Sequence, residues 1–332
     1  LVTPGPYRQF YGAVVAALSD APGVSVSVLD LPARDPTFRY LAMDRDLLRS
    51  ALDRAEGRPV TRFAGEREEL AAAEVVFTDW ADKGALLASL TVPRGTRLVV
   101  RVHSVDALRP WLHLIDWAHV SDLVCVSHHV RDLVHAMLGP RLHDVRSHVV
   151  PNVIRTDGFG SEKPDTAART LCMVGWGKRV KDPLWAVELL ARLAAGDDAW
   201  RLMLLGDDLA ERGPVSSRRY AHDFRTRVQR DDVRERIDYV GYTRDLPRHL
   251  RGAGFVVCSS LRESAPVGLV EAAAAGAVPV VRDWPLFASL DAARRYCPEG
   301  WVVESLEAAV ERVLSLAELP SWRQASGLAR QQ

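Results

Sequence analysis

Short apolar runs alternating with helical patterns constrain this chain more than any other feature of it. In the first half the strand-like runs are "VSVSVLD" (24–30), "EVVFTDW" (74–80), "RLVVRVHS" (97–104), "LVCVSHH" (123–129) and "SHVVPNV" (147–153). Amphipathic segments at 45–56, 106–118 and 130–138 fall between them. The second half repeats the scheme with "TLCMVG" (170–175), "WRLMLLGD" (200–207), "RIDYVGY" (236–242), "GFVVCSS" (254–260) and "AVPVVRD" (277–283). Near-continuous apolar strands separated by helices predict parallel sheets covered on both faces. A chain of 332 residues exceeds one ordinary core of this kind. The polar, Gly- and Pro-containing stretch "IRTDGFGSEKPDTAA" (154–168) predicts a hinge. The expected fold is α/β, two doubly wound Rossmann-like domains facing across a cleft. Residues 1–153 form the first domain, 169–315 the second, and 316–332 are expected to pack back on the first.

Acidic and basic side chains balance at 43 each, so no global field recruits nucleic acid or an anionic membrane. Four of the basic residues are Lys (83, 163, 178 and 181) and the rest are Arg, a bias that, with the abundant Ala, suggests a GC-rich bacterial genome. Cys125, Cys172, Cys258 and Cys297 lack metal-type spacing, and three lie in strand-like runs. They are expected to be buried free thiols of a cytoplasmic protein. No signal peptide and no eighteen-residue apolar segment is present. The chain starts without Met, so part of a first strand is expected to be missing.

In sheets of this kind ligands collect where strands end and helices begin. After the run 170–175, Gly175 and Gly177 precede Lys178, Arg179 and Lys181, and a helix is expected from about Pro183. Unpaired N–H groups, a positive helix end and three cations fit a phosphate or diphosphate. The alternative is a solvated basic loop. A dinucleotide fingerprint would need a third glycine where Val180 stands. It would also need an acidic residue about 20 positions on, and Asp207 comes too late, so a dehydrogenase is disfavoured.

The second such place is "SSLRESAPVGLVEAAAAGAVPVV" (259–281). A helix is predicted over 268–275, ended by Gly276. Glu263 falls in the loop before it and Glu271 about one turn inside, suited to sugar hydroxyls and a ribose diol respectively. The N–H groups of Val267 and Gly268 would face a phosphate between them. The simpler reading has Glu263 capping the helix and Glu271 balancing its dipole.

Together these stretches resemble the donor-binding half of the GT-B, family-4-type retaining glycosyltransferases (glycosyl transferases group 1). Lys181, six residues after Gly175, matches the family lysine, and Glu263 and Glu271 match its Glu-x7-Glu pair. "LLGDD" (204–208), "YVGYTRDLPRHL" (239–250) and "GAVPVV" (276–281) fall in register, as do "RVHSVD" (101–106), "LVCVSHHVRDL" (123–133) and "VPNVIRTDGF" (150–159). The resemblance runs from about residue 74 and is strongest over 170–283. This chain departs from the pattern at Trp176, where the family has Arg, and at Ser264-Ala265-Pro266, where it has Gly-Phe-Gly. In place of the family's N-terminal Gly-Gly loop stands "TPGPYRQFY" (3–11), leaving Gly5 as the acceptor-side candidate.

The resemblance implies transfer of a sugar, with retention, from a nucleotide-diphosphate donor, UDP- or GDP-linked, to a small-molecule, glycan or lipid-linked acceptor. No metal or other cofactor is implied. Lys181, Lys178, Arg179, Val267 and Gly268 would hold the diphosphate, and Glu271 the ribose. Glu263, Ser264 and Ala265 would hold the sugar, and Gly241, Tyr242 and Thr243 the base. His103, ending the run 97–104, would stand near the donor sugar as a catalytic residue with Glu263. A nucleotide-sugar epimerase and a non-catalytic nucleotide-sugar scaffold are the alternatives, the latter suggested by Trp176 and Pro266. Asp44 and Asp46 mimic a metal-binding Asp-x-Asp but are expected on a solvated helix face. The aromatic segment 108–120 is expected in the core, with peripheral membrane contact as its alternative.

Overall fold

The computed structural model describes residues 10–39, 44–160 and 162–332, so Gly5 lies outside the described residues. The chain divides into two compact units, Leu1–Val153 and Ile154–Gln332.

In the first unit β1 (Val75–Thr78), β2 (Arg97–Val102), β3 (Asp122–Cys125) and β4 (Arg146–Val149) form one parallel sheet in that order. The helix Lys83–Thr91 that crosses from β1 to β2 is buried along its whole length. The run 24–30 does not become a strand: a single bridge at Leu29 is all it makes. Val24 and Val28 stay 45% and 47% exposed. Alternation alone does not hold a strand, and among the described residues this run joins no ladder. The segment 106–118 breaks into the short turns Ser104–Ala107, Trp111–Leu114 and Trp117–His119. Trp111, Leu112, Ile115 and Trp117 are buried, and Leu108 is its one exposed large apolar side chain. The segment thus packs largely into the core, as expected. Asp44 caps the helix Arg45–Ala55 by accepting from the Asp46 and Leu47 N–H groups, while Asp46 points to solvent.

In the second unit β5 (Thr170–Val174), β6 (Arg201–Leu205), β7 (Ile237–Gly241), β8 (Phe255–Cys258), β9 (Val278–Arg282) and β10 (Val302–Val303) make a parallel sheet. Its order is β10-β9-β8-β5-β6-β7. The chain lays β6 and β7 on one side of β5, then returns to place β8 on the other, with Leu171 opposite Phe255 and Cys172 opposite Val256. The strand order therefore reverses between β5 and β8, where the connections leave in opposite directions and open a crevice at the carboxyl ends. β10 is too short to stand out in the sequence. All four cysteines are buried and free, as expected, and burial pushes the Cys258 thiol up to about 11.

The segment 316–332, expected on the first domain, docks on the second. Its helix Leu319–Ala329 buries Trp322, whose indole N–H donates to the Gly254 carbonyl at 3.1 Å. Ser326 donates to the Gly276 carbonyl at 2.7 Å. Trp322 thus adds a second donor to the Gly254 carbonyl, which also accepts the Val278 N–H at 2.8 Å, and Ser326 satisfies the Gly276 carbonyl before β9.

Lys163, from the expected hinge, is 4% exposed. Its ammonium donates to the Leu250 carbonyl and, at 2.7 Å, to that of Ala253, closing the end of the helix Leu246–Leu250. Burial lowers its pKa from 10.5 to about 8. Below about pH 8 the group is charged whether the chain is folded or not, and folding bears the cost of enclosing it. Between pH 8 and 10.5 the unfolded chain holds the proton more tightly, so stability rises with pH. Denaturant titrations of wild type across that window should show a gain of at most about 3 kcal/mol that Lys163→Met lacks.

Candidate functional site

The turn after β5 and the loop after β8 meet in the crevice between those strands. Lys181 Nζ lies 2.5 Å from Glu263 Oε1, and the Ser260 hydroxyl donates to the same oxygen at 2.6 Å. Glu263 is 8% exposed and Lys181 half-buried. Burial works to lower the lysine's pKa, but the Glu263 carboxylate outweighs it and leaves the ammonium raised. Lys181 and Glu263 line a pocket with Val174, Cys258, Ser260, Pro266 and Gly268.

The helix Val267–Ala274 begins at the rim of that pocket. Pro266 occupies its N-cap, and the Pro266 carbonyl accepts the N–H groups of Leu269 and Val270. The N–H groups of Val267 and Gly268 belong to the unpaired first turn. Pro266 therefore removes neither of the donors expected there, and Glu263 pairs with Lys181 instead of capping the helix. Glu271 sits one turn in, half-buried, its pKa raised by burial. Among the described residues it has no hydrogen-bond or ion-pair partner. Ser264 is half-buried and Ala265 buried in the loop between.

Two close approaches fix this geometry. A Cβ on Gly268 would come within 2.7 Å of the Val174 side chain, so the helix reaches β5 only because the residue has none. A Cβ on Gly177 would stand 2.1 Å from the Asp207 carbonyl oxygen, pressing the turn after β5 against the loop after β6. Trp176, in the same turn, leaves the pocket. It is buried with its ring centroid 5.3 Å from that of Phe224 and 6.0 Å from that of Tyr239. Lys178 and Arg179 remain exposed on the turn. Desolvation and the like charge of Lys181 lower the Lys178 pKa.

Gly241 ends β7 and Tyr242 and Thr243 follow it, two strands from β5 and so roughly 10 Å away. Tyr242 is 73% exposed, and the Thr243 hydroxyl accepts the Asp245 N–H. They do not join the Lys181–Glu263 cluster. Residues not singled out from the sequence complete it: Ser260 holds Glu263, and the Ser259 hydroxyl lies 2.9 Å from the carbonyls of both Lys181 and Asp182. The paired serines ending the run "GFVVCSS" were the available signal.

In the first unit His103 is buried at the end of β2, its ring stacked between Trp80 at 4.1 Å and Phe10 at 5.5 Å. Its backbone N–H donates to Asp106 at 2.7 Å, and among the described residues Nε2 has no partner. Burial, then the Arg101 charge, lowers its pKa to about 3, so the imidazole is neutral. Asp79, at the end of β1, takes Arg101 at 3.0 Å, and burial raises its carboxyl to about 6. Among the described residues no group of three or more His, Cys, Asp or Glu side chains is arranged to hold a metal ion. No helix there is long and apolar enough to cross a membrane.

Residues 168–318 match the family described as Glycosyl transferases group 1, which spans most of the second unit. The resemblance read from the motifs thus holds for that unit, and the two-unit α/β fold is of the GT-B type. A glycosyltransferase from Rickettsia africae ESF-5 superposes with a TM-score of 0.67 at 12% identity, covering 99% of this chain and 91% of its own. HepE of Anabaena, in complex with UDP, gives 0.64 at 14% identity over 83% of this chain and 78% of its own. TarM gives 0.62 at 13% identity over 80% of this chain, which spans only 53% of TarM. At such identities the likeness is one of fold. No curated protein matches the sequence.

The Gly268 contact makes a direct prediction. Gly268→Ala should lower stability by about 1–3 kcal/mol through overpacking against Val174. Gly160→Ala, where nothing lies within 4 Å of the added carbon, serves as the control in the same thermal unfolding experiment.

Proposed function

We propose that the protein is a retaining, metal-independent glycosyltransferase that moves a sugar from a nucleotide-diphosphate donor to a small-molecule, glycan or lipid-linked acceptor. One observation carries this reading: Lys181 and Glu263, from turns after different strands, meet at the strand-order reversal beside the open first turn of the helix Val267–Ala274. An ammonium and two free N–H groups suit a diphosphate, and the adjacent carboxylates suit hydroxyls. The family match and the neighbours' UDP complexes support a nucleotide-sugar donor, with UDP the first nucleotide to test and GDP the second.

In this reading the donor's diphosphate takes Lys181 from Glu263, with Lys178, Arg179, Val267 and Gly268 around it. Glu263, released, accepts hydroxyls of the sugar beside Ser264 and Ala265. Glu271, half-buried and without a partner among the described residues, takes the ribose diol. Gly241, Tyr242 and Thr243 are assigned to the base. The bond from the anomeric carbon to the diphosphate oxygen breaks as that carbon becomes oxocarbenium-like. The acceptor oxygen then bonds to it from the same face, and its proton goes to the departing phosphate oxygen. Catalysis is positioning plus stabilisation of the leaving charge. His103, neutral and with Nε2 unpartnered among the described residues, can accept a hydrogen bond from a hydroxyl but cannot supply a cation.

The non-catalytic scaffold reading rested on Trp176 and Pro266. Trp176 packs in the core, and Pro266, although it has no N–H of its own, leaves those of Val267 and Gly268 in place, which supports the catalytic reading over the scaffold. An epimerase would release a new free sugar, which no feature of the site favours. The supply of nucleotide sugars and the buried free thiols suit a cytoplasmic reaction.

Lys181→Ala should weaken binding of the nucleoside diphosphate by roughly 1.5–3 kcal/mol, the scale of a charge-assisted hydrogen bond. Glu263→Gln should reduce turnover more than nucleotide affinity. Titration calorimetry and a transfer assay read by NMR, with the anomeric configuration of the product compared with the donor's, test all three. Equal binding by Lys181→Ala would move the diphosphate elsewhere, and an inverted product would refute retention.

A further inference from the structure

Lys181 stands beside a strained residue. Asp182 has φ 48° and ψ 59°, left-handed backbone that a side chain disfavours, although Asp tolerates it better than most. Its carboxylate is gripped at both oxygens: the Tyr220 hydroxyl donates to Oδ1 at 2.6 Å and Arg282 Nη1 to Oδ2 at 2.6 Å. Tyr220, on the helix Val215–Val228, also accepts the Leu184 N–H at 3.0 Å. The Ser259 hydroxyl lies within bonding distance of the Lys181 and Asp182 carbonyls. Side chains from a helix, from the end of β9 and from just after β8 thus converge on one residue of the turn after β5. Burial, then the Asp182 hydrogen bond, pushes the Tyr220 phenol far above its usual range, so it remains a donor.

None of Asp182, Tyr220 and Arg282 lines the pocket that holds Lys181 and Glu263. Their effect on a ligand must pass through the turn. A left-handed residue directly after Lys181 decides where the preceding backbone points, and a residue with a Cβ keeps that conformation only while its surroundings enforce it.

We infer that Asp182, locked by Tyr220 and Arg282, is a positioning residue that aims Lys181 at the donor's diphosphate. The inference rests on the proposed reading of this pocket as a nucleotide-sugar site. It accounts for an acidic residue beside a phosphate-binding lysine: both carboxylate oxygens are already taken, one by a full positive charge, so Asp182 does not repel the ligand's charge unopposed.

The test uses the full chain and the affinities of UDP and GDP for wild type, Tyr220→Phe, Asp182→Gly and Asp182→Asn, each with its melting temperature. Tyr220→Phe and Asp182→Gly should bind about tenfold more weakly, the scale of one lost charge-assisted bond. Asp182→Asn, which tolerates the same backbone and keeps an oxygen for Tyr220, should recover most of the affinity. In a Lys181→Ala background, Asp182→Gly should have no further effect, because the residue acts through the lysine. Wild-type affinity in Tyr220→Phe and Asp182→Gly overturns the inference even if their melting temperatures fall. An undiminished effect of Asp182→Gly without Lys181 overturns it as well. Failure of wild type to bind either nucleotide overturns the functional reading itself, and the inference with it.

Discussion

The ion pair between Lys181 and Glu263 is the contact on which the rest of this site depends. The partners come from different elements, the lysine from the turn after β5 and the glutamate from the loop after β8, and the Ser259 hydroxyl and Leu261 N–H tie that loop to the turn. The reversal of strand order brings the two turns together, and no connection has to cross the crevice between them. Gly268 lets the helix that follows reach β5, adding unpaired N–H groups to the same corner. A half-buried ammonium facing a buried carboxylate is stable as a pair, and removing one partner leaves the other uncompensated. A ligand that brings its own anion for the lysine and its own hydroxyls for the glutamate satisfies both at once. A plain anion offers only the first, and this is the ground on which a phosphate joined to a sugar is proposed for the pair.

The lysines show how little of the chemistry is left to the surface. The chain writes Arg almost everywhere, yet Lys83 and Lys163 are each 4% exposed and Lys181 is half-buried. Lys163 reaches two carbonyls with one compact ammonium, a task ill suited to the planar guanidinium fork. Lys83 starts the buried helix Lys83–Thr91 with its ammonium 5.6 Å from the centre of the Trp111 ring. Three of the four lysines thus hold a compact cation in a space that is at least half enclosed; Lys178, on the turn after β5, stays exposed.

Much of this was legible in the sequence because strand ends in a doubly wound sheet are local features. A Val- and Leu-rich run ending in Gly, with cations and a proline-started helix after it, located the turn at 175–183. The Glu pair eight residues apart located the second loop. What was not legible depended on distant partners. The run 24–30 has the alternation of a strand but joins no ladder among the described residues, and nothing local reveals that. Trp322 and Ser326 commit the C-terminal helix to the second unit through the carbonyls of Gly254 and Gly276, pairings with no signal in spacing. Asp182 looks like an ordinary helix-start residue, and its grip comes from positions 38 and 100 residues further on. Trp176 could not be placed from its position after a strand, since either face of the turn was open to it.

With only four lysines, the side-chain signals of the protein can be followed one by one. A proton–carbon NMR spectrum of protein labelled at lysine Cε should show four signals, and Lys181→Ala identifies the one from Lys181. On addition of UDP or GDP, without metal, that signal should move as the phosphate replaces Glu263, while those of Lys83 and Lys163 stay in place. Binding of the nucleotide with the Lys181 signal unmoved would contradict the account at its centre.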